Sequence, residues 1–318
     1  MFSGKTTYNS SAENFKPLVS VIIPAYNNAR LISSSINSVL RQDYEFVECL
    51  VIDDGSTDDT LTVLTSFIEK KEIKYFKTEN KGVSAARNYG INLSEGEYLI
   101  FLDADDLLLE NAISNMLSSL HEHKADMCVG LEKGKLPAGV FPYNQNHLAN
   151  LISNWWPVSS VLLSKNNHLW NESRKTWEVI EYFATLLLDD FKCVLYPGAV
   201  TEINHAFRED RATIVYDHYN PETTFNFFIE LKAAIILKNK ATHQVLESLD
   251  RQLLNNLYSI FISKKCFPVN INNETIDVKK ISAYSWFKPL GVSGFCRLFG
   301  IKNGIRLFYK INYYLKRT

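Results

Sequence analysis

At 318 residues, 46% hydrophobic and 22% charged, the chain can bury one large core or two ordinary ones and is too apolar to be disordered. No apolar run approaches the ~18 residues of a membrane span, and the polar start MFSGKTTYNSSAENFKP has no signal core; the expectation is a cytoplasmic protein, at most peripheral at the inner face of the cell membrane. The five cysteines are scattered without a CxxC pair, which argues against a zinc knuckle or a disulfide framework and for reduced core thiols.

In chain order, VSVII (19–23) is a β-branched run stopped by Pro24, and it predicts a buried strand. LISSSINSVL (31–40) has helical spacing. FVECLVI (46–52) predicts a second strand, with Asp53-Asp54-Gly55-Ser56 as the turn after it. Asp58 is placed to cap the helix DTLTVLTSFIEK. IKYF (73–76) reads as a third strand, GVSAARNYGINLS (82–94) as a helix opening behind Gly82, and EYLIFL (97–102) as a fourth strand. A helix over 109–120 and a strand at DMCVG (126–130) follow.

This β-α-β-α-β-α-β alternation predicts an α/β fold, a mostly parallel sheet with helices on both faces. Ligands bind such sheets beyond the carboxyl ends of the strands. The segments Pro24-Ala25-Tyr26-Asn27, Asp53-Asp54-Gly55 and Asp103-Ala104-Asp105 all fall at such ends, so the fold should gather them on one rim. Further on, LPAGVFPYNQN (136–146) is rich in turn residues, NWWPVSSVLL (154–163) is a bulky segment, TWEVIEYFATLLLDDF (176–191) has helical spacing, and KCVLYP (192–197) reads as a last strand. After about Asn220 the pattern is helical.

FLDADD (101–106) runs from an apolar strand directly into Asp103, Asp105 and Asp106. Carboxylates this close repel one another and favour a positive partner. A hard divalent cation, Mn2+ or Mg2+, suits oxygen ligands and leaves positions open for phosphate. Read alone, such a turn caps the following helix through Asp105 or Asp106. The neighbours favour a nucleotide pocket: Tyr26 offers a ring for a base, Asp54 an acceptor for a ring N–H, Gly55 a close backbone approach, and Lys81 and Arg87 charge for phosphate.

VSVIIPAYN (19–27), VIDDGSTDDT (51–60), NKGVSAARNYG (80–90) and FLDADD (101–106) together resemble the family-2 glycosyltransferases in order and spacing. The resemblance is specific over roughly 18–130, weaker to about 211 and poor beyond. It implies a GT-A fold, a Rossmann-like nucleotide half joined to an acceptor half, and an inverting transfer from a nucleotide diphosphate sugar, UDP-sugar by default, to a hydroxyl of a glycan or lipid-linked saccharide in surface polysaccharide or glycolipid assembly. By the same resemblance Pro24, Tyr26, Asn27 and Asp54 lie at base and ribose, and Arg87 lies near the diphosphate or orders the acidic loop. Asp103 lies at the ribose or the metal, and Asp105 is the principal metal ligand. His205 stands where many members carry a histidine near the metal. The implied division is a tail (1–17), a catalytic domain (18–215, with nucleotide half 18–130 and acceptor half 131–215) and a helical region with a basic tail (216–318).

One departure stands out. An inverting transfer needs a base for the acceptor hydroxyl, which in this family is the Asp of a Glu-Asp pair. Here the pair aligns with Glu178 and Val179, and valine accepts no proton. Three readings stay open: Glu178 serves, Glu181 serves, or the protein is a non-catalytic nucleotide-sugar-binding homologue. Trp155 and Trp156 are the acceptor-side candidates, since aromatic faces stack on sugar C–H surfaces. From Val278 to Thr318 nine basic residues and no acidic one occur. Ile301, Ile305, Phe308, Ile311 and Leu315 share a helical face there, which suits either a membrane surface or the protein's own core. No basic stripe with interleaved aromatics points to nucleic acid, and no glycine-rich, lysine-bearing loop follows the first strand as a nucleotidyltransferase would require.

Overall fold

The computed structural model describes residues 16–135, 146–204, 220–264 and 305. The expected alternation forms: β1 (Val19–Ala25), α1 (Ile32–Leu40), β2 (Val47–Asp53), α2 (Thr60–Glu69), β3 (Lys74–Lys77), α3 (Val83–Leu93) and β4 (Tyr98–Phe101). Then come β5 (Leu107–Leu108), α4 (Ala112–His123), β6 (Met127–Glu132), α5 (His147–Asn154), a 3-10 turn (Val158–Ser160), β7 (Val161–Ser164), α6 (Glu178–Leu188), β8 (Cys193–Glu202), α7 (Pro221–Leu237) and α8 (His243–Lys264).

The strands make one sheet in the order β3-β2-β1-β4-β7-β6-β8-β5. β1 to β4 are mutually parallel, and β6 and β8 run the same way. β7 and β5 run against their neighbours. These two antiparallel strands were not legible beforehand: β7 is the second part of the bulky 154–163 segment, inserted between β4 and β6, and β5 is a two-residue edge.

Alternate residues of β1 face opposite sides of the sheet. Val19, Val21 and Ile23 join a core covered by α1, α2 and α4, while Ile22 joins a second core with α3, α5, α6, α7 and α8. Pro24 is tolerated for a specific reason. Even-numbered groups of β1 face β4, where Leu102 N–H to Ile22 O (2.9 Å) is the last rung, so the proline removes a donor where no acceptor strand remains. Gly90 of α3 has a similar logic: a Cβ there would stand 2.4 Å from Ile22 Cγ2, so the missing side chain lets α3 lie close on β1.

α7 and α8 contribute Phe228, Leu231, Leu253 and Leu257 to the same apolar cluster as Leu151 of α5 and Phe183 of α6. Ile305, from the amphipathic stretch at the basic end, is helical and buried in that cluster. The rest of that stretch lies outside the described residues. No helix among the described residues is long and apolar enough to cross a membrane. The capping expectations change in detail. Asp58 accepts the Thr60 N–H at 3.0 Å, but Asp59 occupies the cap position of α2. Neither Asp105 nor Asp106 caps α4, which begins at Ala112 behind Asn111.

Candidate active site

Three loops meet at the carboxyl ends of β1, β2 and β4. Asn27 adopts a left-handed backbone (φ 51°) and crosses from the first loop to the second. Its Oδ1 accepts from Thr57 N–H at 2.8 Å, and its own N–H donates to Ser56 Oγ at 3.0 Å. Tyr26, beside it, is 48% exposed and presents its ring to the rim. Asp53 is buried, accepting from Ser56 N–H at 2.7 Å and from Tyr75 OH at 2.7 Å. Burial and that bond to Asp53 raise the Tyr75 phenol above its ordinary value.

Asp54 joins β2 to α3. Its Oδ1 accepts from the Lys81 N–H (2.9 Å) and its Oδ2 from the Gly82 N–H (2.8 Å). A nucleobase N–H at Asp54 would therefore use a lone pair these bonds leave. Gly55 (φ +79°) must be glycine: a Cβ would stand 2.9 Å from Asn80 N. The Lys81 side chain is exposed on the rim.

Arg87 is the centre of the arrangement. It is 2% exposed, and α3 carries it under the rim. Its Nη2 donates to Asp103 Oδ1 at 2.9 Å, and its Nη1 lies 3.7 Å from Glu178 Oε1. The guanidinium sits 4.3 Å from the centroid of Trp170, whose ring stacks on Tyr182 at 4.2 Å and 5°. Cation and phenol must take opposite faces of the indole, so the tryptophan fixes the guanidinium plane. Arg87 Nε and Nη1 and Glu178 Oε2 have no hydrogen-bond partner among the described residues. Arg87 thus bridges the acidic loop after β4 to the first turn of α6.

The three carboxylates differ in environment. The Asp103 side chain is 40% exposed and paired to Arg87. Asp106 is buried, and it accepts from Ser159 Oγ (3.1 Å) and Asn204 N–H (3.0 Å). Burial, with Asp103 and Asp105 close by, pushes the Asp106 carboxyl up to about 7. Carboxylate oxygens such as those of Asp103 and Asp105 are hard donors of the kind that could hold Mn2+ or Mg2+ alongside phosphate. Among the described residues no third His, Cys, Asp or Glu completes a metal cluster. His205, the expected further ligand, lies outside the described residues.

Two expectations are corrected. Trp156 is 3% exposed, packs on Phe183 and donates its Nε1–H to Asn150 Oδ1 at 2.8 Å, so it is a core residue and cannot stack on an acceptor. Glu181 is spent on Arg174, which donates to both its oxygens (3.1 and 3.2 Å) and also reaches Glu230 (2.8 Å); it does not join Arg87 and Asp103. Glu178 does join them, with its side chain 11% exposed. Val179 packs against the core. Trp155 stays at the surface, 41% exposed.

Several residues of the site carried no usable signal. Trp170 and Tyr182 orient Arg87. Asn88 docks the Trp170 loop on α3, accepting from Trp170 N–H at 2.8 Å and donating to Trp170 O at 2.9 Å. Ser159 and Asn204 hold Asp106. Lys175 reaches over the start of α3, its Nζ 3.3 Å from where a Cβ on Gly82 would stand.

The family model described as Glycosyl transferase family 2 matches residues 20–165. A Haemophilus influenzae protein named "Uncharacterized glycosyltransferase" is 31% identical over 159 residues, 48% of this chain and 64% of its own length. Glycosyltransferase GlyG of Streptococcus pneumoniae is 34% identical over 115 residues, 36% of this chain and 38% of its own. The alignments thus span less than two thirds of either relative. Residues 1–349 of S. aureus TarS, solved in complex with UDP, share the fold with a TM-score of 0.64 at 18% identity, over 93% of this chain and 92% of that one. The Pyrobaculum calidifontis mannosyltransferase PcManGT, solved with GDP-Man and Mn2+, gives 0.58 at 17% over 92% and 86%. These two structures thus share the mixed α/β fold of the described residues beyond the stretch that the family model matches.

Proposed function

We propose that the protein is an inverting glycosyltransferase that moves a sugar from a nucleotide diphosphate sugar to a hydroxyl of a glycan or lipid-linked saccharide, in surface polysaccharide or glycolipid assembly. The observation that carries this reading is the bridge Asp103–Arg87–Glu178, which sets a carboxylate of the acceptor half beside the rim where the three strand ends converge. Tyr26, Asn27 and Asp54 border the space for the nucleoside, with Pro24 supporting them from β1. Lys81 faces the diphosphate, and Arg87 orders the acidic loop from beneath it. Asp105, with Asp103, would hold Mn2+ or Mg2+, which when bound neutralises charge on the departing diphosphate. The Glu178 carboxylate takes the proton of the acceptor hydroxyl. The acceptor oxygen then attacks the anomeric carbon from the face opposite the diphosphate, and the bond from that carbon to the phosphate oxygen breaks with its electron pair on the nucleoside diphosphate.

UDP and GDP are both reasonable leaving groups: TarS was solved with the first and PcManGT with a derivative of the second. A melting-shift panel of UDP, GDP and dTDP with and without Mn2+ ranks them, since a ligand bound to the folded state raises its melting point. The decisive test is Glu178→Gln. Transfer should be lost while nucleotide-dependent stabilisation persists. Full transfer by Glu178→Gln would remove Glu178 from the mechanism. A second reading, a non-catalytic nucleotide-sugar-binding protein, is favoured by Val179 at the usual base position; it requires that the wild type bind nucleotide yet transfer from no donor.

A further inference from the structure

A cavity of about 570 Å³ opens where the ends of α6 and α7 meet the starts of α5 and β8. Leu187 lines it from the last turn of α6, a helix roughly 16 Å long whose first residue is Glu178, so the cavity is separate from the rim. Packed interiors leave few voids larger than a water molecule, and this volume falls in the range of small-molecule sites. Its walls are tied to one another. Lys240 pairs with Asp190, joining the α7–α8 turn to the α6–β8 turn, and Lys238 Nζ lies 2.8 Å from Asp189 Oδ1. The Asn146 N–H donates to Gln244 Oε1 at 3.1 Å and ties the start of α5 to α8. These bonds set the walls in advance, so little ordering cost remains for a ligand.

Leu148, Leu187 and Phe191 give the cavity an apolar side, and Phe191 is braced edge to face against His168 (5.5 Å, 88°). Two polar groups of the lining are open. His147 Nδ1 is buried and has no hydrogen-bond partner among the described residues. Burial lowers the His147 pKa, so the ring is neutral near pH 7 and this nitrogen can give or take one hydrogen bond. Lys192 is exposed at the cavity and enters no ion pair among the described residues. The charge of Lys240 is matched by Asp190, so Lys192 leaves the lining with one uncompensated positive charge. We infer that this cavity is a second ligand site, for a ring-sized organic anion. Its carboxylate or phosphate meets Lys192, its body lies on Leu148 and Phe191, and a polar group of the body meets His147 Nδ1. The site is independent of the transfer proposed at the rim.

The test is isothermal titration calorimetry on the full chain in the presence of UDP and Mg2+. The probes are glucose 1-phosphate, glucuronate and adenosine monophosphate, with inorganic phosphate as the anionic group alone. At least one organic anion should bind, and more tightly than inorganic phosphate, which has no body to lay on the apolar side. Lys192→Ala should weaken that binding about fivefold to tenfold, and His147→Phe, which keeps a ring and removes the nitrogen, about fivefold. Lys81→Ala, at the rim, should leave it unchanged. A circular-dichroism melt of each variant reports folding separately, and Lys192, exposed and without an ion pair, is replaceable without unfolding the chain. No binding of any organic anion by the wild type, or an unchanged Kd in either folded cavity variant, overturns the site. Loss of binding in Lys81→Ala places the anion at the rim and overturns it as well. Failure of UDP to bind in the same samples counts against the transferase reading alone, because the cavity variants still report on the second site.

Discussion

Replacing Arg87 by methionine tests the centre of the site. The substitution keeps the aliphatic stem and removes the guanidinium. The charge-assisted bond to Asp103 contributes about 1.5–3 kcal/mol, and the desolvated stacking on Trp170 about 2 kcal/mol. Glu178, almost buried, is left without its cation, which adds a penalty of about 1–3 kcal/mol. Against this, Arg87 Nε and Nη1 make no hydrogen bond among the described residues, so methionine relieves roughly 2–4 kcal/mol of unmade bonding. The half-exposed Asp103 also recovers solvation. The net expectation is a loss of about 2–3 kcal/mol, which in a chain of this size lowers the melting point by roughly 4–10 °C. Lysine should not rescue it, because a point charge cannot span two carboxylates and stack flat on an indole. Urea denaturation of wild type, Arg87→Met and Arg87→Lys decides the matter. Wild-type stability in either variant would refute the bridge.

Other outcomes follow from the same geometry. Gly90→Ala should destabilise by about 1–3 kcal/mol in urea melts despite alanine's better helix propensity, because its Cβ would meet Ile22 at 2.4 Å. Trp156→Ala should cost about 3–5 kcal/mol of stability as a core deletion; an unaltered melt would return Trp156 to the acceptor side. Asp105→Asn should abolish the Mn2+-dependent part of the nucleotide melting shift, and a full shift in that variant would move the metal elsewhere. At the opposite end of the sheet, burial opposes ionisation of Glu48, but bonds from Lys74, Ser20 and the Glu95 N–H overcome it and hold its carboxyl below the ordinary value. Its contribution is therefore complete above about pH 4.5 and is lost as pH falls through the lowered native value. Glu48→Gln should flatten the acid limb of urea midpoints taken from pH 7 to pH 3; an unchanged slope would exclude Glu48 as its source.

Much of the nucleotide half was legible because its information is local. A strand that ends in Pro24, in Asp53-Asp54-Gly55 or in Asp103 carries its loop with it, and parallel alternation obliges those ends to share a rim. The glycine at position 55 was readable for the same reason, since one turn requires it. The acceptor half was less legible because its decisive contacts are long-range. The insertion of β7 against β4 and the capture of Asp106 by Ser159 and Asn204 join segments tens of residues apart.

The amino-acid sequence by itself determined the alternating α/β order, the rim, and the acids and aromatics that were candidates for it. Tertiary structure alone decided their partners. Glu178 rather than Glu181 meets Arg87, because Glu181 stands nearly a turn further along α6, where Arg174 claims it. Trp155 ends α5 and stays in solvent while Trp156 is buried, because Phe183 and Asn150 from the surrounding helices take up the second indole. Spacing records which residues are near in the chain; the direction of a side chain depends on what the distant segments leave room for.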